Sequence, residues 1–158
     1  MQPFHIKDIK DTNFTEADVL SFLMEIDKDY YPPISTKVDL ESYAHKIHLH
    51  AEIIVICERG ADSIGGLIAF YSNQRNGPFS YIPVIGVLKN LRGRGYGKHL
   101  LAACFKRLKE KRISLLKMQT WGSNPALKFY KSLGFDEISR VPDRPNGIAS
   151  VHLEYRIK

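Results

Sequence analysis

Apolar residues recur along this chain with two spacings, and the points where one gives way to the other mark out its elements. Phe4 to Ile9 predicts a first strand. Val19, Phe22, Leu23 and Ile26 then fall on one face of a helix predicted over Phe14 to Asp29. Tyr30-Tyr31-Pro32-Pro33 ends it, because proline lacks an N–H and crowds the preceding residue out of the helical region. Leu40, Tyr43, Ala44 and Ile47 define a second helix, Asp39 to His48. Glu52 to Glu58 and Ile64 to Ser72 are apolar, β-branched runs on either side of the turn-forming Arg59-Gly60-Ala61-Asp62, and they predict a hairpin. Phe79 to Leu88 follows as a third central strand. Beyond it come a helix from Gly95 to Lys111, a strand from Leu115 to Trp121 and a helix from Asn124 to Ser132. Two closing strands, Phe135 to Arg140 and Ile148 to Ile157, flank the turn-prone segment Pro142 to Gly147. No repeat or linker interrupts the order. The 158 residues make a single domain, 1–158, of a size that buries roughly 70% of the surface its unfolded chain exposes.

Chemistry concentrates where the third central strand ends. Arg92-Gly93-Arg94-Gly95-Tyr96-Gly97-Lys98 joins that strand to an amphipathic helix. Glycines without Cβ atoms let the backbone turn tightly and approach an anion, and the helix start presents its unpaired first-turn N–H groups to the same spot. Arg92, Arg94 and Lys98 add positive charge, which suits a pyrophosphate. A Walker loop is excluded, because His99 stands where Ser or Thr would hold magnesium and the earlier glycine is absent. A dinucleotide fingerprint needs Gly-x-Gly-x-x-Gly, whereas this chain has Gly-x-Gly-x-Gly. The formal net charge of +6 gathers here and at Lys106 to Lys117, with the acidic residues spread elsewhere, so an anionic small molecule accounts for it. No helix-turn-helix, RRM or zinc-finger signature accompanies the charge, and no nucleic-acid partner is expected. The cluster from Lys106 to Arg112 reads as a solvated helix face.

The pattern Arg92-x-x-Gly95-x-Gly97, set between a strand and a helix, resembles the acyl-CoA-binding signature of the GNAT superfamily of N-acetyltransferases. About thirty residues on, the stretch from Asn124 through Ala126, Phe129-Tyr130 and Gly134-Phe135 is similar to that superfamily's second signature. The matched block runs from about 79 to 138, and element order extends it to the N-terminal half. The resemblance implies an α/β (α+β) architecture, the GNAT fold, with a mixed, mostly antiparallel sheet of about seven strands, splayed at its centre and flanked by about four helices. It implies acetyl-CoA as cofactor, held in the splay by the main chain of Ile85 and Val87. The pyrophosphate falls to Arg92, Gly93, Arg94, Gly95, Tyr96, Gly97 and Lys98, and Asn124, Ala126 and Phe129 complete the cofactor-binding set. By the same match Tyr130 is the catalytic acid that protonates the leaving thiolate, its ordinary pKa near 10 keeping the proton in place at neutral pH. Neighbouring helical residues cannot both face inward, so Phe129 is expected in the core, and Asn124 doubles as a helix cap.

The expected reaction is N-acetyl transfer by direct attack of an acceptor amine, which must first lose a proton. Many relatives carry a Glu on the strand equivalent to Phe79–Leu88; here Ser80 and Tyr81 stand there. Candidates for the base are a water chain, His45, His48, His50 and Glu52, with exposed helix residues the plainer reading of the histidines. No metal is expected, since nothing completes a ligand set with them. The acceptor site implied by the resemblance comprises Tyr30, Tyr31, Tyr71, Asn73 and Arg144, with Arg75 nearby. Such a lining, aromatic and polar but not acidic, suits a small polar amine such as an aminosugar or nucleotide-linked aminosugar better than a polycation. Tyr30 and Tyr31 closing the core around the prolines is the plainer reading. Rival functions are a protein N-terminal or lysine acetyltransferase and a non-catalytic acyl-CoA-binding regulatory module. Cys57 and Cys104 read as small buried hydrophobes, and neither a leader-like start nor a membrane-length apolar window is present. The expectation is a cytoplasmic enzyme, monomer or homodimer, with no membrane partner.

Overall fold

Both faces of the central sheet are covered by helices, which is why its inner strands read as unbroken apolar runs. The structure is a computed structural model that describes residues 3–30, 32–72, 79–142 and 147–158. Its strands are β1 (Phe4–Asp8), β2 (Glu52–Glu58), β3 (Gly66–Tyr71), β4 (Phe79–Val87), β5 (Leu115–Trp121), β6 (Asp136–Pro142) and β7 (Ala149–Arg156). Its helices are α1 (Glu16–Asp27), α2 (Leu40–His50), α3 (Tyr96–Glu110) and α4 (Leu127–Ser132). The seven strands form one sheet in the order β1-β2-β3-β4-β5-β7-β6. Only β4 and β5 run parallel, joined by the α3 crossover; the other pairs are antiparallel. The architecture is the GNAT-like α/β fold that the sequence predicts.

Alternation along β2 and β3 divides the core. Ile53, Val55, Leu67 and Ala69 pack under α1 and α2 against Phe22, Leu23, Ile26 and Ile47. Ile54, Ile56, Ile68 and Phe70 point the other way, against Leu100, Leu101, Cys104 and Leu108 of α3. Asp39 accepts from the Ser42 N–H at 3.0 Å and caps α2. Thr15 precedes α1, its N–H bonded to the Asp18 carboxylate at 2.7 Å, so this helix starts two residues later than its apolar pattern suggests.

The splay has a local cause in Pro83. Parallel pairing of β4 with β5 runs from Phe79–Leu115 to Ile82–Met118 and stops there. Proline has no N–H to continue the ladder, and β4 carries one extra residue at this level, between the pairs Ala69–Val84 and Tyr71–Tyr81 with β3. Past Pro83, β4 stays on β3 while β5, from Gln119 to Trp121, stays on β7. The gap between them is the wedge in which the site lies. Gly86 lets α1 approach β4 here: a Cβ at this position would stand 2.9 Å from Cδ1 of the wholly buried Ile26. Gly86→Ala is expected to cost about 1–3 kcal/mol by overpacking, read as a lower urea midpoint at unchanged m-value.

Three expectations need correction. The helix predicted from Asn124 begins at Leu127, since Asn124 instead forms a turn, its Oδ1 accepting from Ala126 N–H at 2.8 Å. The basic face after Lys106 is not wholly solvated: Arg107 bonds Asp8 (3.2 Å) and Glu52 (2.7 Å), and Lys111 lies 2.8 Å from Glu52, tying α3 to β1 and β2. Cys104 is buried as expected, but Cys57 is only partly so. No described helix is long and apolar enough to cross a membrane.

Candidate active site

Two cavities of about 350 and 400 Å³ meet in the wedge between β4 and β5. They share Tyr30, Ile85, Asn124 and Tyr130, and so form two arms of one cleft joined at a neck. One arm runs between the glycine loop and the turn into α4; the other runs under α2 between β4 and β5.

The open edge of β4 supplies the neck with main-chain groups. Leu88 N–H donates to Gly65 O at 2.9 Å, which makes 65–88 a hydrogen-bonded pair of the β3–β4 ladder; Leu67–Gly86 and Ala69–Val84 therefore also face each other through hydrogen bonds. Ile85 and Val87, lying between, turn their N–H and C=O groups away from β3 towards the gap. Their carbonyls already find side chains there: Tyr30 Oη donates to Ile85 O at 3.2 Å, and Arg92 Nε to Val87 O at 2.9 Å. The two N–H groups face the cleft.

The glycine loop closes the first arm. Gly93 and Gly95 have φ of +81° and +83°, a region in which any side chain is strained, and a Cβ on either would meet nothing within 4 Å in the protein. Gly95 is the N-cap of α3 and offers no side chain, so the first-turn amides remain for a ligand at the positive end of the helix dipole. Lys98 lines this arm, as do Arg92, Gly93, Gly97 and Val87, with Ala126 and Phe129 on the opposite wall. Arg92 also reaches Asp29 with a 3.0 Å ion pair, so it fixes the end of β4 to the chain after α1. Arg94 does not line the cleft: its guanidinium turns to Glu58 at 3.0 Å. Tyr96 packs on Phe4 at a centroid distance of 4.8 Å, and its hydroxyl is buried without a partner among the described residues.

Phe129 and Tyr130 take roles opposite to the expected ones in packing. Tyr130 is the buried residue, set against Phe129 and Phe135, while Phe129 is only partly buried, on the wall of the first arm. Even so, Tyr130 lines both arms, and among the described residues no hydrogen bond holds its hydroxyl, which is not among the sealed polar atoms. Burial and the nearby Tyr30 push its pKa up. Asn124 donates to Thr120 Oγ1 at 2.7 Å and sits at the neck.

The second arm is lined by Tyr30, Tyr43 and Tyr81, with Lys37, Gln119 and Trp121 beyond them, and no Asp, Glu or His lines it among the described residues. Tyr43 Oη donates to Pro83 O at 2.7 Å, and Lys37 Nζ stands 5.4 Å over the Trp121 ring. Sequence reasoning missed Tyr43, Tyr81 and Gln119 as lining residues. Tyr43 falls on the same helical side as Leu40, Ala44 and Ile47, where a phenol needs a hydrogen-bond partner, and that was the available signal. Tyr71 lies outside this arm, in an annex beside it. Tyr31, Asn73, Arg75 and Arg144 lie outside the described residues.

None of the side chains expected as a base reaches the cleft. His45 pairs with Glu16 at 2.9 Å on the outer surface, His48 and His50 are exposed on α2, and Glu52 is held by Arg107 and Lys111. Among the described residues no cluster is suited to hold a metal.

Solved structures share this arrangement of strands and helices. Ard1 from Thermoplasma volcanium superposes with a TM-score of 0.79 at 16% identity, covering 99% of each chain. The ribosomal-protein-S18-alanine N-acetyltransferase of Escherichia coli gives 0.74 at 16% identity over 98% of this chain and 94% of its own. A GNAT-family acetyltransferase from Staphylococcus aureus gives 0.75 at 21% identity, over 98% and 99%. At these identities the likeness concerns the fold. No curated protein matches the sequence. The sequence model of the acetyltransferase (GNAT) family matches residues 20–135, which include most of α1 and the whole glycine loop. That span is well over half of the protein, and the chain belongs to the GNAT family of acetyltransferases, acyltransferases that use acetyl-CoA.

Proposed function

We propose that this enzyme acetylates the amine of a small polar acceptor, such as an aminosugar or a nucleotide-linked aminosugar, by direct attack in the cleft. The observation that carries this reading is the junction of the two arms at Tyr30, Ile85, Asn124 and Tyr130, with a second arm that is aromatic and polar and lacks carboxylates among the described residues. A polycationic acceptor would call for the opposite lining.

The donor set fits acetyl-CoA. The N–H groups of Ile85 and Val87 would hold amide and thioester oxygens, and the amides from Gly93 to Lys98 the pyrophosphate. When bound, acetyl-CoA supplies an acetyl thioester open to attack by an amine. At the neck, a β4 N–H opposes negative charge as it develops on a carbonyl oxygen, a kind of contact worth about 3–4 kcal/mol where it has been removed. Tyr30, through its bond to Ile85 O, keeps that part of β4 in position. Tyr130 holds a proton on Oη where a leaving thiolate needs one; its raised pKa makes it a hydrogen-bond donor to the developing charge before it is a full acid.

No side chain described in the acceptor arm can take the amine's proton near neutrality. Burial raises the pKa of Tyr30, Tyr43, Tyr81 and Tyr130, so all four stay protonated. The amine therefore reacts as the free base it becomes in water. The logarithm of kcat/KM is expected to rise with unit slope up to the acceptor's own amine pKa and to move with that pKa between acceptors. A single inflection near pH 6–7 for every acceptor would instead reveal a protein base.

The acceptor class is tested by acceptor-dependent CoA release with aminosugars, nucleotide aminosugars, amino acids, polyamines and N-terminal peptides. Turnover centred on the first two classes supports the reading. Preference for N-terminal peptides would move the chain towards a protein acetyltransferase, the activity named for the Escherichia coli neighbour. Binding of acetyl-CoA with no turnover would make it a binding module.

A further inference from the structure

The acceptor arm does not end at Tyr43 and Tyr81. A further cavity of about 410 Å³ opens beyond them, lined by Tyr43, Lys46, Tyr71, Tyr81 and Pro83. Three of its five lining residues, Tyr43, Tyr81 and Pro83, also line the acceptor arm, so the two spaces adjoin. Tyr71 and Tyr81 face each other across the β3–β4 pair and form its floor, while Tyr43 and Lys46, three apart on α2, overhang it.

Two donors meet in this annex with no acidic counterpart among the described residues. The Tyr71 hydroxyl is closed off with no hydrogen-bond partner among the described residues, a costly arrangement that a ligand atom relieves only once a covering side chain shifts. Lys46 holds its ammonium 6.0 Å over the Tyr71 ring, and its helical neighbours Ser42, Tyr43, Leu49 and His50 include no carboxylate. Burial raises the pKa of Tyr71 and Tyr81, so both phenols remain donors.

We propose that the annex is an anion-accepting extension of the acceptor site, and that the preferred acceptor is an amine carrying a phosphate or carboxylate at a fixed distance from its nitrogen. This rests on the reading of the cleft as an acetyl-transfer site. The distance follows from β4: the amine reacts at the level of Ile85 and the anion sits at the level of Tyr81, four residues and about 13 Å along the strand. A phosphate on an adjacent atom, or the α-carboxylate of an amino acid, is too close to reach it. The diphosphate of a nucleotide-linked aminosugar and the far end of a long phosphorylated amine are of the right order.

ω-Aminoalkyl phosphates of increasing chain length, each against the amino alcohol of the same length, serve as a ruler. Binding is read from the fluorescence of Trp121, the single tryptophan of the chain and a wall of the acceptor arm, and transfer from CoA release. The 8-carbon phosphate is expected to bind at least about tenfold tighter than its alcohol, a 3-carbon pair to show no difference, and Lys46→Ala to bring the 8-carbon phosphate down to its alcohol. Tyr71→Phe, which keeps the ring, is expected to remove part of the difference. Equal binding of phosphate and alcohol at every length, or a difference that survives Lys46→Ala, overturns the proposal. Lys46 is exposed, so its truncation leaves the core intact. Length-dependent phosphate binding without any CoA release would retain the annex and refute the transfer reading, so the two fail separately.

Discussion

Tyr130→Phe lowers kcat by about 10²-fold, the lower end of what a positioned proton donor contributes, while acetyl-CoA binds as before. The substitution keeps the ring, and with it the contacts to Phe129 and Phe135. It removes a hydroxyl with no hydrogen bond among the described residues, so nothing is orphaned and the stability change stays below about 1 kcal/mol. A packing role would show the reverse, with little loss of kcat. Steady-state kinetics beside calorimetric titration of acetyl-CoA separates the two, and an unchanged kcat would remove Tyr130 from the chemistry.

Gly95→Ala weakens acetyl-CoA binding by at least about tenfold. Strain at φ +83° costs about 1–2 kcal/mol of stability, in free and bound protein alike. The loss of affinity is obstruction. The new methyl would meet nothing within 4 Å in the protein, so what it crowds is whatever approaches the loop. Gly60 provides the control: its φ is +80°, it too has open space around it, and it lies in the turn after β2, away from the cleft. Gly60→Ala is expected to carry the same strain without loss of affinity. Equal loss in both variants, or in neither, would mean that the loop does not cradle the cofactor.

Particular residues show what was legible in the sequence and what was not. β2 and β5 both have their predicted boundaries: β2 because burial on both faces leaves an unbroken apolar run, β5 because Leu116 and Met118 alternate with Lys117 and Gln119. The glycine loop was legible because few other arrangements interleave three glycines with cations before a helix. Pro83 was visible, but its consequence was not: the end of the β4–β5 ladder depends on which strand lies beside it, a long-range fact. The same holds for Arg94, drawn to Glu58 across 36 positions, and for Glu52, which α3 neutralises. Phe129 and Tyr130 stay about 100° apart on α4 wherever the helix starts, and Tyr130 is the buried one because Phe135 folds back onto it, which spacing does not show. Tyr130 nonetheless borders both arms.

The central claim is that acetyl passes directly from acetyl-CoA to an amine, with no covalent stage on the protein. Cys104 lies on the buried face of α3 with its thiol pKa raised by that burial, and Cys57 lies outside the cleft, so neither offers a nucleophile there. Thiol release after rapid mixing of enzyme and acetyl-CoA, with and without an amine acceptor, tests this most directly. Release only in the presence of amine, abolished to within about 1% by Tyr130→Phe, is the predicted result. One equivalent of thiol per enzyme in the absence of any amine would contradict it.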